Sequence, residues 1–229
     1  MNRCCLVLGL RWMIVLAGSL TFLVGQNGAP APKRVVEGRV LTSETLPALR
    51  MAVADGFTYV GSFSFTLKGI AFGTRYVFVE ADRNRHVKRL VIAQFEGFLP
   101  GNDHRYNYDL SSAEPMAGYR FRGNPYAFSN HYEATHNPKN EAALTVRFLR
   151  EKGYTFDDIW RMYRWLTVPD AAKRHELILF YVEPEPDAAK TIADFYGSDD
   201  RETPYWKGFI GGLEKRARKA WTLSTLDAR

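Results

Sequence analysis

Thiols are almost absent from this sequence: in 229 residues only Cys4 and Cys5 occur, side by side near the start. Once an N-terminal export signal is removed, as argued below, the chain keeps no disulfide, no thiol nucleophile and no thiolate metal ligand. Its stability then rests on an apolar core. The sequence has no Asn-x-Ser/Thr glycosylation acceptor, no Gly-x-Ser-x-Gly elbow and no phosphate-binding Gly-rich loop. A dinucleotide fingerprint and a His-Glu-x-x-His zinc helix are missing too, so no motif implies a cofactor. Neither sign of charge dominates, since 31 Lys and Arg against 25 Asp and Glu leave +6. That balance, without a recognisable binding module, argues against a nucleic-acid partner. What remains is an ordinary globular mixture, 46% hydrophobic and 24% charged, which excludes a disordered, collagenous or coiled-coil chain.

The first segment reads as an address. Arg3 and Arg11 supply positive charge, Trp12 to Val24 is an uncharged and largely apolar run, and small residues follow at Gly25, Gly28, Ala29 and Ala31. The run is shorter than the roughly 20 apolar residues a spanning helix needs. We therefore expect a signal peptide at 1–26, a flexible lead-in at 27–34 and a single domain at 35–229. The mature protein is expected in a periplasmic or secreted location, with no transmembrane span after cleavage. Losing Arg3 and Arg11 and no acid takes the net charge from +6 to +4.

Within the domain the dominant pattern has a period of two. From Phe57 to Leu67 the odd positions are Phe, Tyr, Gly, Phe, Phe and Leu, and of the five residues between them all but Val60 carry a hydroxyl. Lys68-Gly69 suggests a two-residue turn into a second strand, Ile70 to Glu80. That turn would set Phe65 against Phe72, Tyr59 against Phe78 and Tyr76 over Gly61; a bulge at Gly69 would shift the register by one. Further strands are expected at Val87–Glu96, Gly118–Arg122, Trp160–Val168 and Glu176–Val182. A helix is expected from the Asn137-Pro138 cap to Gly153, and two more near 187–196 and 205–223. The fold class is α+β: one domain, an antiparallel sheet of five or six hairpin-connected strands, and helices packed on one side.

Four groups of residues are candidates for function. Tyr59, Phe63, Phe65, Phe72, Tyr76 and Phe78 would form an aromatic sheet face able to line a pocket for a small apolar ligand, although such faces are usually core. His131, Glu133 and His136 have the chemistry to ligate a metal, with a third imidazole from His104 or His175, but their spacing matches no standard pattern and Pro138 suggests a loop. Glu96 and His175, beside Gln94 and Glu176, are candidates for acid–base work if burial raises a carboxyl pKa. Lys215, Arg216, Arg218 and Lys219 on the last helix, and Arg83, Arg85, His86, Lys88 and Arg89 earlier, suit an anionic envelope surface or solvated faces. The leading expectation is an exported, non-catalytic domain that binds a small apolar ligand or an envelope partner. The alternatives are a metal-dependent or acid–base hydrolase using residues 131–136, and a structural envelope-associated protein.

Overall fold

Alternating apolar and polar residues build most of the domain, as the computed structural model of residues 33–197, 199 and 201–226 makes plain. The expected signal peptide and nearly all of the lead-in lie outside those residues. In chain order the elements are β1 (Arg34–Glu37), β2 (Val40–Ser43), β3 (Leu49–Val53), β4 (Thr58–Leu67), β5 (Ala71–Ala81), β6 (Val87–Phe98), β7 (Glu114–Met116) and β8 (Tyr119–Ser129). Then come α1 (Asn130–His136), α2 (Glu141–Glu151), β9 (Ile159–Thr167), β10 (His175–Pro184), a 3₁₀ turn at Ile192–Asp194, α3 (Pro204–Ala217) and β11 (Trp221–Thr225).

The strands form two antiparallel sheets rather than one sheet of five or six. The small sheet has the order β1-β2-β3-β11 and the large one β4-β5-β6-β10-β9-β8-β7. The class is α+β, but helices lie on both faces of the large sheet. One face carries Phe78, Val91, Ala93, Phe95, Leu177, Leu179 and Tyr181, packed against the small sheet and against Trp206, Leu213 and Ala217 of α3. The other carries Val77, Val79, Leu90, Ile92, Ile178, Phe180 and Val182, packed against Leu149 and Phe148 of α2. Covered on both sides, β6 and β10 are buried almost throughout, as strands with near-continuous apolar runs require.

Several element boundaries differ from the sequence expectations. Helix α2 is capped by Asn140, whose side chain accepts from the Ala143 amide at 2.8 Å, rather than by Asn137. Gly153 ends it in the left-handed conformation, at φ +78°. The expected helix at 187–196 is only a 3₁₀ turn, and the one at 205–223 stops at Ala217, after which Trp221–Thr225 pairs with Leu49–Val53.

The β4–β5 hairpin has the shifted register. Lys68 and Gly69 both take positive φ, at 48° and 70°, and the connection absorbs Ile70, so that Leu67 faces Ala71 and Phe65 faces Gly73. A bulge at Val60 then restores the Tyr59–Phe78 pairing. A shift of one residue sends side chains to the opposite face, and so the six aromatics do not line one pocket. Phe63 and Phe65 turn towards α2, with Phe63 at 5.0 Å from Phe148 between ring centres. Tyr59, Tyr76 and Phe78 join the core on the other face, while Phe72 is 47% exposed. Gly73 gives Phe65 its place: a Cβ there would lie 2.7 Å from Phe65 Cε2. Gly73→Ala should displace that ring and cost about 1–3 kcal/mol of stability in urea unfolding; an unchanged midpoint would mean the hairpin edge yields freely.

Candidate functional site

On the α2 face of the large sheet a polar line interrupts the apolar core. Where β5, β6 and β10 run side by side, Arg75 lies opposite Gln94 and Glu96 opposite Glu176. Cross-strand partners share a face, and all four side chains are buried. Arg75 Nε donates to Gln94 Oε1, and Gln94 Nε2 donates to Glu96 Oε1. Arg75 Nη1 reaches α2, donating to the Glu141 carbonyl at 2.7 Å and to Thr145 Oγ1 at 2.5 Å. At the other end, Tyr106 OH donates to Glu96 Oε2 at 3.2 Å, and Tyr108 lies near Glu176.

The carboxyls of Glu96 and Glu176 are cross-strand neighbours on one buried face. Two carboxyls in contact cannot both ionise in a dry site, so the pair retains a proton. Burial is the main cause raising Glu176 to about 9, with the Glu96 charge adding to it. Burial also raises Glu96, and it lifts the phenols of Tyr106 and Tyr108 far above their usual value. Oε2 of Glu176 is buried and has no hydrogen-bond partner among the described residues, which suits a carboxyl that keeps its proton. His175, expected beside Glu96, instead faces Gly97 on the opposite side of the sheet, with Nδ1 3.4 Å from Asp170 Oδ2. The partner of Glu96 is therefore the next residue along.

Beside this polar line, between α2 and the sheet, lies a cavity of about 380 Å³. Ile92, Phe128, Trp160, Met162, Phe180 and Val182 supply apolar walls. Arg75, Gln94, Thr145, Tyr126 and Arg164 bring polar groups to the same space. Arg164 donates to Asn124 Oδ1 at 3.0 Å and to Tyr126 OH at 2.8 Å, with its guanidinium 4.5 Å from the Tyr126 ring centre. Burial lowers Arg75 to about 10. Sequence reasoning named Gln94 and Glu96 but missed Arg75 and Arg164. The available signal was parity: in β5 the inward positions are Gly73, Arg75, Val77 and Val79, where a charged side chain is out of place.

Of the other candidate groups, His131, Glu133 and His136 share the border of a cleft of about 510 Å³. His131, Glu133 and His136 lie on helix α1 rather than in a loop. His136 stacks on Tyr132 at 4.2 Å between ring centres, and Glu133 accepts from the side chains of Asn137 and Asn140. His104 packs on Phe98. Among the described residues no group of three His, Cys, Asp or Glu side chains is placed to hold a metal. In the C-terminal basic group, Arg216 pairs with Glu183 at 2.6 Å and Arg218 with Glu114 and Glu214 at 2.6 Å each. Lys215 and Lys219 are exposed, so the four do not form one unpaired patch. In the earlier basic group Arg89 pairs with Glu80, and His86 with Asp157 at 3.0 Å.

A larger open cleft of about 960 Å³ borders Arg161, Glu183, Glu185, Lys190, Phe209 and Arg216. Its charges neutralise one another. Arg161 Nη2 donates to Glu183 Oε1 at 2.9 Å, and Nη1 lies 3.3 Å from Glu185 Oε2. Tyr181 OH donates to Glu183 at 2.9 Å and Tyr205 OH to Glu185 at 3.0 Å. This cluster ties α3 to β9 and β10. Comparison with protein-family models, with curated proteins and with solved structures finds no match to this chain.

Proposed function

We propose that this protein is an exported, non-catalytic domain that binds a small, largely apolar ligand between α2 and the large sheet. The observation that carries the proposal is the cavity of about 380 Å³, in which apolar side chains such as Ile92, Trp160, Phe180 and Val182 meet convergent polar ones, features that a small-molecule site combines. The site differs from the aromatic hairpin face suggested by the sequence, since that face is divided between two sides of the sheet. Binding is favoured over turnover because Glu96 and Glu176 lie buried against Tyr106 and Tyr108, and neither carboxyl lines the cavity. Export rests on the sequence of residues 1–26.

The test uses N-phenyl-1-naphthylamine, a neutral probe that fluoresces in apolar surroundings. The mature chain should bind it saturably at one site, and decan-1-ol should displace it. Ala142 lines the cavity, and Ala142→Phe should weaken the probe at least tenfold with little change in thermal midpoint. Fluorescence that rises without saturation, or that Ala142→Phe leaves unchanged, would overturn the proposal.

A further inference from the structure

Arg75 is 7% exposed, and every acceptor its side chain touches is uncharged: Gln94 Oε1, the Glu141 carbonyl and Thr145 Oγ1. The acids nearest in effect, Glu141 and Glu96, act on it only through space. Among the described residues its Nη2 has no hydrogen-bond partner, and the side chain borders the cavity. A buried cation without a counter-ion is costly to hold, and the cavity is where a counter-ion would fit. Its guanidinium carbon lies 5.0 Å from the centre of the Phe180 ring, over an apolar floor that raises the effective strength of any charge pairing there. Across that floor, Phe180 faces Arg164 in the strand register. Arg164 is a second cation whose hydrogen bonds go to neutral groups, Asn124 and Tyr126.

Two acids also border the cavity, Glu133 and Glu141. Both serve the start of α2. Glu133 accepts from the Asn140 cap, and Glu141 occupies the first turn, where the positive end of the helix dipole favours a carboxylate. They leave Arg75 without a carboxylate in direct contact, but they would repel a doubly charged ligand.

Resting on the small-ligand reading above, we infer that the ligand is a carboxylic acid, its single negative charge seated on Arg75 with Arg164 as the second cation and its apolar remainder along Ile92, Phe180 and Val182. The charge of Arg75, its neutral hydrogen-bond partners and the acids on the rim together select one negative charge over none or two.

The test displaces bound N-phenyl-1-naphthylamine at pH 7.5 with decanoate, decan-1-ol and decyl phosphate. Decanoate should act at a concentration at least tenfold below that of decan-1-ol, and below that of decyl phosphate. Arg75→Gln should bring decanoate and decan-1-ol together while the probe still binds. Should Arg75→Gln fail to fold, Arg164→Gln replaces it and should narrow the preference at least threefold. Equal potency of acid and alcohol on the wild-type chain would overturn the inference and leave the cavity reading intact. So would a preference for the phosphate, or an acid preference unmoved in the folded variant. Failure of the probe to bind would instead count against the small-ligand reading itself.

Discussion

Between pH 5 and pH 8.5 the thermal midpoint should fall steadily, and Glu176→Gln should remove most of that fall. The folded protein holds the Glu176 proton up to about 9, whereas an unfolded glutamate releases it near its ordinary value of about 4.3. Below both values each state is protonated and the contribution to stability is complete. As pH rises through the gap, the unfolded chain loses a proton that the folded chain keeps, and stability drains away until the folded pair ionises. One proton of difference corresponds to about 1.4 kcal/mol per pH unit, or roughly 3–5 °C per pH unit for a chain of this size. Glutamine keeps the shape and can donate to Glu96 without a proton to lose. At pH 8 Glu176→Gln should therefore be more stable than wild type, and near pH 5 almost equal. A midpoint that rises with pH in the wild type would show that the carboxyls are wetted and ionised, with their repulsion relieved by solvent.

Arg161→Met should be the most damaging single change on the other face. The side chains of Arg161, Glu183 and Glu185 are 6%, 9% and 2% exposed. Methionine fills the space but leaves Glu185 with only neutral donors, the Tyr205 hydroxyl and the Asp187 amide; Glu183 retains Arg216 and Tyr181. Removing one partner from a buried ionic cluster typically costs about 3–5 kcal/mol, because the stranded charge stays in a poor solvent. Glu185→Gln added to Arg161→Met should recover part of that loss in urea unfolding. A single-variant loss below about 1 kcal/mol, the range of exposed ion pairs, would mean that water from the adjoining cleft already solvates the cluster.

Much of the architecture was legible in the sequence because it is written in period two. The strands around Phe57–Glu80, Val87–Glu96, Trp160–Val168 and Glu176–Val182 all form, as does the helix ending at Gly153. What failed was what depends on distant partners or on single-residue parity. Strands β1 to β3 are four or five residues long, too short to show a period. Trp221 continues the helical spacing of Trp206, Ile210, Leu213 and Ala217, yet it belongs to a strand because Val53 is there to pair with it. Parity also decided the site. Glu96 was legible as a buried acid, but its neighbour across the sheet is Glu176 rather than His175, and those two point to opposite faces. Arg75 could be noticed only by asking which face of β5 turns inwards, a question that needs the register of the whole hairpin.

The pairing of β11 with β3 reaches across most of the domain, joining Trp221–Thr225 to Leu49–Val53. Contacts so far apart in sequence carry a large loop-closure cost and form late. The large sheet needs only its hairpins and the β6–β10 pairing, whereas β3 gains its second neighbour once Trp221–Thr225 has been made. Until they arrive, Leu49, Met51 and Val53 belong to a strand with a bare edge, which is an invitation to pair with another chain. A nascent or truncated chain lacking 221–225 is then the form most in need of a chaperone, because β11 is the strand that covers that edge of β3.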